Sequence, residues 1–203
     1  MALWFTSDLH LSHVRAPELC GRPYGSTPDE IQRMNQDIIA AHNEVVGPND
    51  HVIYLGDVCM GKIAESLPLV DQLNGWKTLV LGNHDRISPL YHNQTPENVA
   101  RFKDLYTRYF DAIITDGVIQ VGDQQVQLHH MPYLNSYDDV NHAGWLKPQN
   151  YPVDDGKWLI HGHVHGLWRQ KGRMINVGID AWGNQPVSEA TLIYMMQEGP
   201  CNL

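Results

Sequence analysis

The sequence predicts an α/β fold, a layered sandwich of sheets with helices outside. Three observations predict it. The first half alternates short apolar runs with amphipathic stretches in βαβαβα order, the pattern of a sheet covered by helices. The second half is a series of short apolar runs joined by Asp-Gly and Gly-Asp turns. Clusters of Asp, Asn and His follow five of the predicted strands, which gathers polar chemistry at one sheet edge.

Leu3 to Thr6 is a short apolar run and reads as the first strand. After a polar stretch, Thr27-Pro28-Asp29-Glu30 opens a helix. Thr27 caps it, Pro28 suits the first helical position and Glu30 completes a capping box. Ile31, Met34, Ile38, Ala41 and Val45 follow at helical spacing, and Gly47-Pro48-Asn49-Asp50 ends the run. Val52 to Leu55 is the second strand. A helix is expected over Ile63 to Leu73, with Pro68 kinking or splitting it. Thr78 to Leu81 is the third strand. Thr95-Pro96-Glu97 starts a helix with Val99, Phe102, Leu105, Tyr106 and Tyr109 on one face. The short strands are then Ala112 to Thr115, Val118 to Val121, Gln125 to His129, Trp158 to Ile160, Met174 to Val177 and Thr191 to Met195. Tyr133 to Gly156 is a long polar and aromatic insertion without period, the kind of loop that often serves as a lid. The whole chain, 1–203, reads as one domain.

Composition narrows the partners. With 203 residues, an apolar share of 42% and a formal charge of -9, the chain can bury a core and carries no Lys/Arg-rich run. Tight binding to long nucleic acid is therefore not expected. A small phosphate ester is compatible, because bound cations reverse the local charge. Cys20, Cys59 and Cys201 lie far apart, so a disulfide framework is not expected and a reduced compartment fits. No leader and no membrane-length apolar run is visible, and the expected location is cytoplasmic.

The chemistry sits after the strands. Asp8-Leu9-His10 follows the first, Gly56-Asp57 the second and Gly82-Asn83-His84-Asp85 the third. His129-His130 follows Val126-Gln127-Leu128, and His161-Gly162-His163-Val164-His165 follows Trp158-Leu159-Ile160. Each cluster alone is a common turn or polar strand edge. The ordered set is specific. Gly56, Gly82 and Gly162 are expected to allow sharp turns that aim side chains outward. Carboxylate, amide and imidazole together suit Mn²⁺, Fe or Zn²⁺ better than Ca²⁺.

Asp-x-His, Gly-Asp, Gly-Asn-His-Asp, His and Gly-His-x-His, in this order, resemble the signature of the calcineurin-like metallophosphoesterase superfamily, over Thr6 to about Gly178. Within it, Ser7 to His13, Arg22-Pro23-Tyr24 and Ile175 to Asp180 are similar to a small phage and bacterial subgroup. The resemblance implies an α-β-β-α sandwich of two mixed sheets flanked by helices. It implies two divalent cations per chain, Mn²⁺ foremost and Fe or Zn²⁺ as alternatives. Asp8, His10, Asp57 and His165 would hold one, and Asp57, Asn83, His130 and His163 the other. Two such ions would lower the pKa of a bridging water and clamp the phosphate during in-line attack. His84 would protonate the leaving oxygen, with Asp85 orienting its ring.

Other residues carry competing readings. His130 is preferred to His129 as the ligand, since adjacent strand residues face opposite ways and the family places its ligand two residues before a Pro, here Pro132. His161 reads as a strand-end or supporting imidazole. His13 either contacts substrate or closes the first loop. Arg22 and Arg86 are candidate substrate contacts, against the reading of solvated surface arginines. Cys59 reads as a small buried side chain. Tyr133, Tyr137, His142 and Trp145 form either an aromatic cap or a satellite core. The expected activity is a phosphodiesterase acting on small substrates such as 2′,3′-cyclic nucleotides. The alternatives are a phosphomonoesterase, nuclease or phosphoprotein phosphatase on the same site, and a catalytically lapsed binding module of the same fold. Oligomeric state is open.

Overall fold

The computed structural model describes residues 1–134 and 146–203. In chain order the elements are β1 (Leu3–Thr6), α1 (Ala16–Cys20), α2 (Pro28–Val45), β2 (His51–Tyr54), α3 (Ile63–Ser66), β3 (Trp76–Val80), α4 (Pro96–Tyr106), β4 (Ala112–Ile114), β5 (Gly117–Val121), β6 (Gln124–Leu128), β7 (Trp158–His161), β8 (Gln170–Gly172), β9 (Met174–Asn176), β10 (Val187–Ser188), α5 (Glu189–Glu198) and β11 (Cys201–Asn202). They build two mixed sheets, ordered β10-β1-β2-β3-β4 and β11-β8-β9-β7-β6-β5. In the first, β1 to β4 run parallel and β10 is antiparallel to β1. In the second, β6, β7 and β9 are parallel, and β5, β8 and β11 add antiparallel pairs.

Alternation along the strands sorts their side chains into two cores. Val52 and Tyr54 of β2 face a core shared with Met34 and Ile38 of α2 and Tyr106 of α4, while Ile53 and Leu55 face the other way. That second core lies between the sheets, where Phe5, Leu55 and Val80 meet Val126, Leu128, Ile160 and Ile175. The layered sandwich of two mixed sheets with flanking helices is as expected.

The start of α2 follows its sequence. Thr27 accepts from the Glu30 N–H, and Glu30 reaches back to the Thr27 N–H. Near Pro68 the next helix does split: α3 ends at Ser66, and Leu67–Gln72 continue as a 3-10 helix. One element is corrected. Thr191 to Met195, expected as a strand, lies inside α5. Thr191, Ile193 and Tyr194 give the run its strand-like composition. The Ser188 side chain nevertheless caps the Thr191 N–H, and Leu192, Met195 and Met196 are buried at helical spacing against the inter-sheet core. Tyr133 packs with Leu159, Met174 and Trp168, so it belongs to a satellite core. Tyr137, His142 and Trp145, with most of the expected lid, lie outside the described residues.

Candidate metal centre

The clusters after β1, β2, β3, β6 and β7 meet at one edge. The backbone crosses this edge under strain. Asp8, His10, Asp57, His163 and His165 all adopt positive φ, between 48° and 71°. This region is uncommon for residues other than glycine, though Asp and His are enriched there. The three glycines act in two different ways. Gly56 turns the chain at φ 93°. Gly82 and Gly162 keep ordinary φ and instead allow close approach. A Cβ on Gly82 would stand 2.6 Å from the Asp57 nitrogen, and one on Gly162 would stand 2.5 Å from Asp8 Oδ2. For these two the expected sharp turn is replaced by tight packing of the ligand loops.

Asp57 stands at the middle. Its Oδ2 lies 3.5 Å from His130 Nε2, 3.8 Å from His10 Nε2 and 3.9 Å from His84 Nε2. Its Oδ1 accepts the His84 backbone N–H at 2.8 Å. On one side, the ligand atoms of Asp8, His10 and His165 lie within 4.8 Å of one another, and the His10 and His165 rings stack at 5.1 Å. On the other side, Asn83 Oδ1 lies 2.8 Å from His130 Nε2 and 3.0 Å from His163 Nδ1. The His130 Nδ1–H donates to the Leu55 carbonyl, which fixes Nε2 toward the site. His129 turns aside and accepts the Met131 N–H. His161 is buried with Nδ1–H on the Gly162 carbonyl.

These side chains fit divalent cations on a structural ground. Asp8 Oδ1 and both ring nitrogens of His10 are buried with no hydrogen-bond partner among the described residues. Such orphaned polar atoms are costly unless something else meets them. Burial, followed by the neighbouring His165 and His84, pushes His10 well below the usual histidine range, so the ring is neutral and one of its two nitrogens offers a lone pair. Burial also lowers His130, but Asp57 and Asp8 outweigh it and the net direction is upward.

Two expected roles are corrected. Asp85 does not point at the His84 ring. Its Oδ2 accepts the Gly82 and Asp57 backbone N–H groups at 2.8 and 3.1 Å, and its Oδ1 takes the Tyr106 hydroxyl at 3.5 Å. It is a buried brace joining the β2 and β3 loops. Arg22 is neither a solvated arginine nor placed to touch substrate. Its guanidinium donates to Asp180 Oδ1 at 2.7 Å and Oδ2 at 3.0 Å, and to the Asp8 and Leu9 carbonyls at 2.8 Å. His13 lies beside His10, with ring centroids 5.3 Å apart, and burial and then His84 lower it to about 4. Arg86 lies over the Tyr91 ring at 4.8 Å, on the wall of a cavity of about 540 Å³ that also includes Lys62, Asn98, Arg101 and Phe102.

Asp180 is the functional residue that sequence reasoning missed. It accepts the His165 Nδ1–H at 2.8 Å and so turns Nε2, which lies 4.0 Å from Cys20 Sγ, away from Asp180, the usual carboxylate–histidine arrangement of a metal ligand. Burial alone would lower His165, but the bond to Asp180 and contact with Cys20 push it up to about 11 in the metal-free protein. Nothing local in the sequence marks Asp180. The only signal was its place in the Ile175 to Asp180 segment.

Comparison with known proteins places the chain in a family. The chain is 33% identical to the Gene 66 protein of Mycobacterium phage L5 over 195 residues, covering 89% of this chain and 87% of that one. It is 31% identical to the Gene 66 protein of Mycobacterium phage D29, with 89% and 88% covered. Among solved structures, the protein of unknown function AQ665 from Aquifex aeolicus shares the fold, with a TM-score of 0.67, 23% identity and 96% and 98% of the two chains covered. The profile of the calcineurin-like phosphoesterases matches residues 1–185, which is nearly every residue that shapes the site. The chain belongs to the calcineurin-like phosphoesterase family and, with it, to the metal-dependent phosphoesterases.

Proposed function

We propose that this protein is a phosphodiesterase for small substrates such as 2′,3′-cyclic nucleotides, working with two divalent cations. One is held by Asp8, His10, Asp57 and His165, the other by Asp57, Asn83, His130 and His163. The observation that carries this is the central place of Asp57, whose Oδ2 faces His10 on one side and His130 on the other at 3.8 and 3.5 Å. When bound, the ions supply Lewis-acid charge and an acidified water. The chain's own residues do the rest. Asp57 shares its carboxylate between the two ligand groups, and the His84 main chain anchors it. The half-buried His84 ring gives its proton to the leaving oxygen. Mn²⁺ is the proposed ion, with Fe or Zn²⁺ as the nearest alternatives.

The substrate reading rests on charge and space. The chain is acidic overall, yet Arg86 and Arg101, with Lys62 paired to Glu65, gather with Tyr91 and Phe102 around a cavity that begins two residues past His84. Cationic and aromatic walls of this size suit a single nucleotide rather than a long strand. No described helix is long and apolar enough to cross a membrane. The test is turnover with added Mn²⁺, Fe²⁺ or Zn²⁺ on bis-p-nitrophenyl phosphate, 2′,3′-cyclic nucleotides and a phosphomonoester side by side. Diester hydrolysis well above monoester hydrolysis is expected. Monoester preference under all three metals would overturn the diesterase reading.

A further inference from the structure

We propose that Cys20 is a sulfur ligand of the first ion, beside His165, and that it shifts this half of the centre, unlike the other, from the Mn²⁺ proposed above toward Zn²⁺ or Fe²⁺. This rests on the two-ion reading above. The local backbone explains how a thiol reaches the site. α1 ends at Cys20, and Gly21 reverses the chain at φ 68°. Cys20 and Arg22, on either side of the turn, therefore approach the same spot. Arg22 clamps Asp180, and Cys20 Sγ comes to 4.0 Å from His165 Nε2. The ligand atoms of Cys20, His165 and Asp180 lie within 4.8 Å of one another, as do those of Asp8, His10 and His165. His165 is the member common to both groups.

A second observation marks this place as one for an ion. His10 is 2% exposed, stacks on His165, and has neither ring nitrogen hydrogen-bonded among the described residues. Since metal–nitrogen and metal–sulfur bonds are about 2.0–2.1 and about 2.3 Å, one ion can span Sγ and Nε2 at their present separation. The thiol proton leaves to solvent as sulfur coordinates. The other thiols do not compete: Cys59 is buried and bonds to the Ser66 carbonyl, and Cys201 lies on β11 at the far edge of the second sheet. The ligands of the second ion include no sulfur. A soft donor on one side only gives the two positions different preferences, because thiolate favours Zn²⁺ and Fe²⁺ over Mn²⁺.

The experiment is cobalt substitution of the full chain. Co²⁺ is titrated into metal-free protein while the visible d–d bands and the near-ultraviolet sulfur-to-metal charge-transfer band are followed. The wild type and Cys201→Ser are expected to show both, and Cys20→Ser and Cys20→Ala only the d–d bands. In Zn²⁺/Mn²⁺ competition, Cys20→Ser should lose at least about tenfold of the Zn²⁺ preference, the low end of what even an outer partner's loss costs. Cobalt d–d bands without a sulfur band in the wild type would overturn the Cys20 assignment and leave the two-ion reading standing. A sulfur band that persists in Cys20→Ser would also overturn it. No cobalt binding at all would sink both. If the Cys20 variants fail to fold, the wild-type and Cys201→Ser spectra decide alone.

Discussion

Replacing Asp180 by Asn tests the brace beneath the site. Arg22 and Asp180 have side chains 4% and 6% exposed and share two hydrogen bonds of 2.7 and 3.0 Å. The same carboxylate holds His165 at 2.8 Å. Burial raises the Asp180 carboxyl, but His165 and Arg22 outweigh it and hold the group ionised. Asparagine keeps the shape, yet its NH₂ must take the place of Oδ1, which meets Arg22, or of Oδ2, which meets both Arg22 and His165, and all of these are donors. Breaking a buried ion pair costs about 3–5 kcal/mol. Here one acceptor survives on the amide and Arg22 keeps its two carbonyl partners, so we expect a loss of about 2–3 kcal/mol. That is a large part of a typical folding stability of about 5–15 kcal/mol. Urea unfolding of the metal-free protein, followed by tryptophan fluorescence, measures it. With His165 held by a neutral amide instead of a carboxylate, affinity for the first ion should fall about 10–100-fold by titration calorimetry. A stability change below about 0.5 kcal/mol together with unchanged metal affinity would refute the brace.

The remaining predictions follow from other contacts. His84→Asn should keep its metal, because the backbone rather than the ring holds Asp57 Oδ1, while turnover of an ester with a poor leaving group falls about 10²–10⁴-fold. Metal content by elemental analysis and steady-state kinetics separate the two effects. Gly82→Ala should push the Asp57 loop away, cost about 1–3 kcal/mol and lower bound metal, read by thermal unfolding and metal stoichiometry. His42, buried on α2 with Nε2 against the Asn74 carbonyl, is lowered by burial from 6.5 to about 4. Its folded pKa lies below its unfolded one, so its contribution is present above pH 6.5 and is lost as pH falls toward 4. Between pH 7 and 5 this one residue should remove about 2 kcal/mol in urea titrations, and His42→Gln should abolish that share.

The ligand loops were legible in the sequence because each is a local string tied to the end of an apolar strand. α2 was legible because its cap and its apolar period agree. α5 was not, since Thr191, Ile193 and Tyr194 favour a strand, and the Ser188 cap with burial of Leu192, Met195 and Met196 against the inter-sheet core decides for the helix. β10 and β11 are two residues each, too short for any period. Arg22 and Asp180 are 158 positions apart, and Cys20 and His165 are 145 apart. Such contacts exist only once the sheets have packed. Asp85 shows the same limit at short range, because its neighbour His84 suggested a partner while the backbone amides of Gly82 and Asp57 took its carboxylate.

The left-handed backbone at Asp8, His10, Asp57, His163 and His165 has an evolutionary consequence. Each position holds a side chain where glycine would sit with less strain, on the order of 1 kcal/mol less. Selection for folding alone thus pulls these sites away from their chemistry. A descendant copy relieved of its enzymatic duty should drift toward glycine at these five places and gain robustness as it does so.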